Sequence, residues 1–374
     1  MVAINKERLL EEFLELVQID SETTQEAEIA KVLKKKFEDL GLEVLEDDAA
    51  SITGHGANNL ICNLEGSKKD AEPIYFTSHM DTVVPGNGVK PSVEDGYIVT
   101  DGTTILGADD KAGVAAILEA IRSLQEQNVE HGDLQFVITV GEESGLVGAK
   151  ALDASMLKAK YGYALDSDGQ VGNIIVAAPT QAKINAIVKG KTAHAGVAPE
   201  KGISAITLAS RAIAKMPLGR IDDETTANIG RFEGGQKTNI VCDHVEVLAE
   251  ARSLDPEKME AQVEKMKRAF QETAEEMGGE VELDVEIMYP GYKQKAGDQV
   301  VEVARSAAKR IGRVSELLTS GGGSDANVIA GHGVPTVNLS VGYEEIHTTN
   351  ERMPVSELEK ITEFVTAIVE KVAQ

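Results

Sequence analysis

The sequence predicts an α/β protein with a mostly parallel sheet, helices on both faces, and an inserted α+β domain of ferredoxin-like order. Three observations carry that prediction. Apolar strand-like runs alternate with helix-period segments through the first half, the pattern of βα units around a parallel sheet. The texture changes at Pro179 to long alternating strands and two amphipathic helices, and α/β character resumes after "YPGY". At 374 residues the chain also exceeds the size at which one core usually stops growing, so two domains are expected.

Helical periodicity covers roughly 5–18 and 24–40, with the cap-type residues of "DSETTQEAE" between them. "NNLICNL" and "PIYFTSH" read as strands, "DDKAGVAAILEAIRSLQEQ" as a helix, and "DLQFVITV" and "YGYALDS" as further strands. Next come the alternating "TQAKINAIVKGKTAH", the helix "GISAITLASRAIAKM", and the strands "TTANIGRFEGG" and "TNIVCDHVEVLAEARSL". A charged helix over about 256–278 and the strand "VELDVEIM" complete a β-α-β-β-α-β unit. Helix 298–311, the turn "SGGGSD", the strand "PTVNLS" and a helix from about 354 close the chain. The expected division is 1–179 with 292–374 as one domain and 180–291 as the insert. The antiparallel edge of the insert is a candidate surface for dimerisation by strand pairing.

Composition excludes several functions. The 42% hydrophobic content supports packed cores rather than disorder. A net charge of −25 argues against nucleic acid as a partner. No apolar run is long enough to cross a bilayer, and the N-terminal segment lacks a signal-peptide core. Two cysteines, Cys62 and Cys242, make no disulfide framework, and the expected location is cytoplasmic.

The chemistry lies at the strand ends. In "SHMDTV", His79 and Asp81 share one face of extended chain, the relation of a metal-ligating histidine and a carboxylate steadying its ring. "GADDKAG" places Asp109 and Asp110 just before a helix, and "GEESG" places Glu142 and Glu143 after a strand. "ALDSDG" adds Asp166 and Asp168, and "IHTTNE" adds His347. In open α/β sheets ligands bind at the carboxyl ends of strands, so five segments deliver His or carboxylate groups to one edge. Such a set, free of cysteine, suits Zn²⁺, Mn²⁺ or Co²⁺. A carboxylate shared by two cations about 3.5–4 Å apart is the arrangement of two-metal hydrolases.

These five motifs, in this order, resemble those of the co-catalytic di-zinc exopeptidases. That family includes peptidase T, carboxypeptidase G, succinyl-diaminopimelate desuccinylase and aminoacylase, and "LGADDKAG" is most similar to the peptidase T-like branch. The resemblance spans nearly the whole chain and implies two zinc ions and a short peptide substrate. It makes Asp109 the bridging ligand, with His79 and Asp166 completing one site and Glu143 and His347 the other. It further implies Asp81 as the residue orienting His79, Glu142 as general base, and a cis peptide between Asp109 and Asp110. In the insert, expected to act as a lid, His194, Asn239 and Arg252 match residues that hold the substrate. One departure is Gly321, which opens "GGGSDA" where the peptidase T-like pattern has arginine. The alternatives are an amidohydrolase or carboxypeptidase acting on N-acyl amino acids and, in another class, a non-catalytic metal-binding scaffold.

Overall fold

The structure, a computed structural model, describes residues 2–374. It divides into two compact units: the chain up to Ala177 with Lys293–Ser320 and Ser324–Gln374, and Ala178–Tyr292 with Gly321–Gly323. The first unit opens with α1 (Lys6–Val17), α2 (Ala27–Asp39), β1 (Glu43–Glu46), α3 (Ala49–Thr53), β2 (Leu60–Leu64), β3 (Ile74–His79), β4 (Ser92–Glu94) and β5 (Tyr97–Val99). Then come α4 (Ala108–Glu126), β6 (Leu134–Thr139), α5 (Val147–Ala151), β7 (Tyr161–Ser167) and β8 (Ile174–Ala178). The second unit holds β9 (Thr180–Lys189), α6 (Ala205–Lys215), β10 (Gly219–Arg220), β11 (Thr225–Gly234), β12 (His244–Ser253), α7 (Pro256–Met277) and β13 (Glu280–Tyr289). The chain finishes with β14 (Tyr292–Lys293), α8 (Gln299–Arg310), β15 (Leu317–Thr319), α9 (Asp325–Gly331), β16 (Thr336–Ser340), β17 (Met353–Pro354) and α10 (Val355–Val372).

Local chemistry sets these elements. Helix α1 starts at Asn5, whose side chain accepts from the Arg8 N–H, and it buries Leu9, Phe13, Leu16 and Val17 at helical spacing. Helix α7 starts at Asp255, which accepts from the Glu257 and Lys258 N–H groups. Pro256 occupies its first turn, and it ends at Gly278 in the left-handed region.

The central sheet runs β1-β2-β6-β3-β7-β16-β8. Its middle strands β6, β3, β7 and β16 are parallel, and every residue of β3 and β6 is buried. That burial explains why these segments read as continuous apolar runs rather than alternating ones. The outer strands depart from a purely parallel reading, because β1 with β2, β2 with β6, and β8 with β16 pair antiparallel. A three-stranded sheet, β17-β5-β4, was not expected. Its hairpin turns on Asp95 (φ +49°) and Gly96 (φ +85°), so the Asp-Gly pair between Glu94 and Tyr97 was the signal to read.

In the second unit all strands are antiparallel, in the order β10-β11-β12-β9-β13. Ala182, Ile184, Ala186 and Val188 of β9 and Val245, Val247, Ala249 and Ala251 of β12 alternate inward, packing with α6 and α7 residues such as Leu208 and Phe270. No helix among the described residues is long and apolar enough to cross a membrane.

Candidate metal centre

Parallel register builds the site. His79, the last residue of β3, lies opposite Thr139, the last residue of β6, and Thr77 lies opposite Ala164 of β7. The three strands therefore end together, and Glu142 and Glu143, just past the end of β6, reach the same place as Asp166, the penultimate residue of β7. Gly141, with φ +58°, turns the chain after β6. A Cβ there would come within 2.6 Å of His55 Nε2, so both conformation and space favour glycine. Asp109 and Asp110 sit at the start of α4 with non-helical φ/ψ, and the peptide between them is cis.

Asp109 is the centre of the cluster. Its Oδ1 lies 3.1 Å from His79 Nε2 and its Oδ2 lies 3.2 Å from His347 Nε2. Three sets of donor atoms each gather within 4.8 Å: His79, Asp109 and Asp166; Asp109, Glu143 and His347; and His79, Glu142 and Glu143. Such spacing suits ligands about 2.0–2.2 Å from a common ion. The first two sets share Asp109 and contain the residues of the two triads that the resemblance implies.

The electrostatics also fit bound cations. Among the described residues no Lys or Arg pairs with Asp81, Asp109, Asp166 or Glu143, whose ion-pair partners are the two histidines. Burial pushes the Asp166 carboxyl well above the usual range, with Glu142 adding to the rise and His79 opposing it. Burial does the same to Glu142, opposed by His79 and reinforced by Asp325, Glu143 and Asp109. Burial would also raise Asp109, but the bonds from His347 and His79 prevail and hold it low. Burial acts to lower His79, yet Asp109 and Asp81 outweigh it and keep the ring well above its ordinary value. His347, half-exposed, is raised to about 10, chiefly by Asp109 and then Glu143. Glu143 Oε1 is buried without a hydrogen bond, and it stands 3.0 Å from His347 Nε2. A crowd of carboxylates short of positive charge, with imidazole nitrogens turned onto them, is a donor set that divalent cations would complete.

Asp81 plays its part differently from the expectation. His79 Nδ1 donates to the backbone oxygen of Asp81 at 2.9 Å, whereas the carboxylate Oδ1 is 3.5 Å away. That carboxylate instead accepts the N–H of Glu142 at 3.0 Å and of Glu143 at 3.3 Å. One residue thus fixes the His79 ring and the backbone of the "GEES" turn.

Several supports were not singled out from sequence. Asn338 accepts the Asp166 N–H at 2.9 Å and donates to its carbonyl, and Tyr343 donates to Asp166 Oδ1 at 3.3 Å. Asp325 accepts from Thr139 Oγ1 and keeps a buried Oδ1 without a partner; burial lifts its carboxyl to about 6. Ser78 Oγ donates to Asp110, which burial holds well above the usual range. Lys111 is fully buried and donates to the Ile19 carbonyl at 2.7 Å. Burial brings it down to about 8 against the pull of Asp20, Glu351 and Asp81. Asp168 is exposed.

The other three candidates lie in the second unit. His194 and Asn239 are neighbours there, because Ala195 N–H donates to the Asn239 carbonyl at 3.0 Å and His194 bridges Ile240. His194 Nδ1 accepts the Gly196 N–H at 3.2 Å, which assigns the ring proton to Nε2 in the neutral form. Arg252 grips Glu250 through Nε at 3.0 Å and Nη2 at 3.1 Å, and gives Nη1 to the Gly321 carbonyl at 3.1 Å. Its charge is already balanced by Glu250.

A parallel-centred α/β unit ending in paired carboxylate and histidine donors defines a metal-dependent hydrolase class. The chain belongs to peptidase family M20/M25/M40, whose model matches residues 75–371. The crystal structure of aminopeptidase PepT from Bacillus cereus is 72% identical, with a TM-score of 0.96 over 99% of this chain and 100% of that one. A tripeptidase from Staphylococcus aureus is 53% identical, with a TM-score of 0.96 over 99% of each chain. The uncharacterized protein YqjE of Bacillus subtilis is 73% identical across 99% of this chain and 100% of its own length. The protein is a peptidase.

Proposed function

We propose that the protein is a cytoplasmic di-zinc aminopeptidase that removes the N-terminal residue of short peptides. The observation that carries this reading is the Asp109 carboxylate set between the His79 and His347 rings. The names of the similar solved structures, an aminopeptidase and a tripeptidase, support the substrate class. His79, Asp109 and Asp166 would hold one ion, and Asp109, Glu143 and His347 the other. When bound, the two ions supply Lewis acidity, bringing a water's pKa toward neutrality and polarising the scissile carbonyl.

The remaining chemistry belongs to side chains of the protein. Glu142 takes the water's proton and returns it to the leaving amine, a task suited to a carboxylate whose affinity for protons is raised by burial. Asp81 holds the backbone of Glu142 in place by accepting its N–H in the hydrogen bond described above. His194 would donate Nε2–H to the substrate carbonyl oxygen. Asn239 and the guanidinium hydrogens of Arg252 not engaged by Glu250 or Gly321 would hold the polar groups of the peptide.

Mass spectrometry of products from one tripeptide, free and N-acetylated, tests the reading, with Glu142→Ala as the blank. Loss of one N-terminal residue from the free peptide alone is the expected result. Cleavage of only the blocked peptide would replace it with a deacylase or carboxypeptidase activity.

A further inference from the structure

We infer that Glu351 is a positioning residue that fixes the backbone of Asp109 and ties it to the segment carrying His347. The inference rests on the ligand set proposed above. Glu351 is 2% exposed. Its Oε2 accepts the N–H groups of Leu106 at 2.8 Å and Gly107 at 2.7 Å, and its Oε1 accepts that of Asp109 at 3.0 Å.

The local backbone explains why a carboxylate is needed. Gly107 has φ +76°, and Asp109 and Asp110 depart from helical φ/ψ, so this entry to α4 departs from regular helix. The three donor residues, Leu106, Gly107 and Asp109, are all buried, so water is not the alternative partner. Buried N–H groups left unpaired are costly, and an ionised carboxylate is the strongest acceptor a side chain can offer them. Among the described residues Glu351 has no Lys or Arg ion pair, since the nearby Lys111 ammonium donates to Ile19 O instead. Three amides are therefore its partners.

The same segment ties the second site to the first. Four residues before Glu351, His347 sets its Nε2 3.2 Å from Asp109 Oδ2. Glu351 thus holds the main chain of one ligand while anchoring the segment that presents another. Asp166 is supported separately, by Asn338 and Tyr343. Loosening Glu351 should weaken both ion sites together, because Asp109 is common to them.

The test is Zn²⁺ affinity, measured by competition with a chromogenic chelator, in wild type, Glu351→Gln, Glu351→Asp and Glu119→Gln. The amide of Glu351→Gln keeps the shape but turns an N–H₂ toward N–H donors. Glu351→Asp keeps the charge and shortens the reach. Glu119 is a buried carboxylate of the same unit that accepts from Asn5 N, Arg8 and Ser123, so its variant controls for lost stability alone. Glu351→Gln should bind both ions about 10–100-fold more weakly, the cost typical of removing a ligand's support. Raised Zn²⁺ should restore its kcat with KM for peptide unchanged, and Glu351→Asp should fall between it and wild type. Glu119→Gln should lose thermal stability with wild-type Zn²⁺ affinity. Wild-type affinity in Glu351→Gln, or a loss matched by Glu119→Gln, would overturn the inference; if Glu351→Gln does not fold, wild-type affinity in Glu351→Asp does so. Failure of wild type itself to bind Zn²⁺ would overturn the ligand assignment, and this inference with it.

Discussion

Two groups of buried carboxylates in the first unit are held in opposite ways. Beside α1, Glu12 pairs with Lys36 Nζ at 2.9 Å and Arg122 Nη2 at 2.6 Å, and Glu119 pairs with Arg8 at 2.7 Å. At the carboxyl ends of β3, β6 and β7 the acids have histidines and backbone amides for company, and no Lys or Arg ion pair among the described residues. A buried ion without a counter-charge costs several kcal/mol, so the difference separates two purposes. Acids that the chain neutralises for itself hold helices together. The strand-end acids, short of counter-charge, are the ones a bound cation would neutralise.

The sharpest way to break this comparison is Glu142→Gln. It should lower kcat by about 10²–10⁴, the usual worth of a general base, while both ions remain bound. A variant that turned over normally would return Glu142 to the structural class.

Metal removal probes the same contrast through stability. Each ion at about 100 times its dissociation constant should add about 2.7 kcal/mol, read as a higher Tm in loaded than in chelated protein. The pH dependence follows from groups raised in the fold: Asp325 at about 6 and His347 at about 10. Each favours the fold when protonated. Its contribution is full below the unfolded pKa, roughly 4 for the acid and 6.5 for histidine. It is lost as pH rises through the folded value. The Tm gap between loaded and chelated protein should therefore widen from about pH 5 to pH 9, since ligands also shed competing protons over that range. A gap that narrowed would contradict the account.

Glu12→Gln probes the other class. It should cost about 1–3 kcal/mol in urea unfolding, because Lys36 and Arg122 lose their charged partner, and leave kcat unchanged. The smallest effect is expected from Tyr343→Phe, which removes one 3.3 Å bond to Asp166. About 1 kcal/mol of binding at one ion site, with the other untouched, is the expected change in a two-site titration.

Much of this was legible because strands and motifs obey short-range rules. The buried runs "PIYFTSH", "DLQFVIT" and "YGYALDS" became β3, β6 and β7, and parallel register then carried His79, Glu142, Glu143 and Asp166 to one edge without further information. The β-α-β-β-α-β order of the second unit followed from alternating strands and two helical segments. What sequence did not reveal depends on pairings between distant residues. The antiparallel outer strands β1 and β2 carry no local mark of direction. Glu351 looks like any acid after a turn until its three amide partners, more than 240 positions away, are in place. Asp81 was read through its neighbour His79, whereas its carboxylate binds amides 61 and 62 residues on.

The most direct test of the account is anomalous diffraction at the zinc edge from crystals of the zinc-loaded protein. Two peaks, each at bonding distance (about 2.0–2.2 Å) from the Asp109 carboxylate, with His79 and Asp166 on one and Glu143 and His347 on the other, are predicted. A single peak, or peaks at residues outside this set, would contradict it.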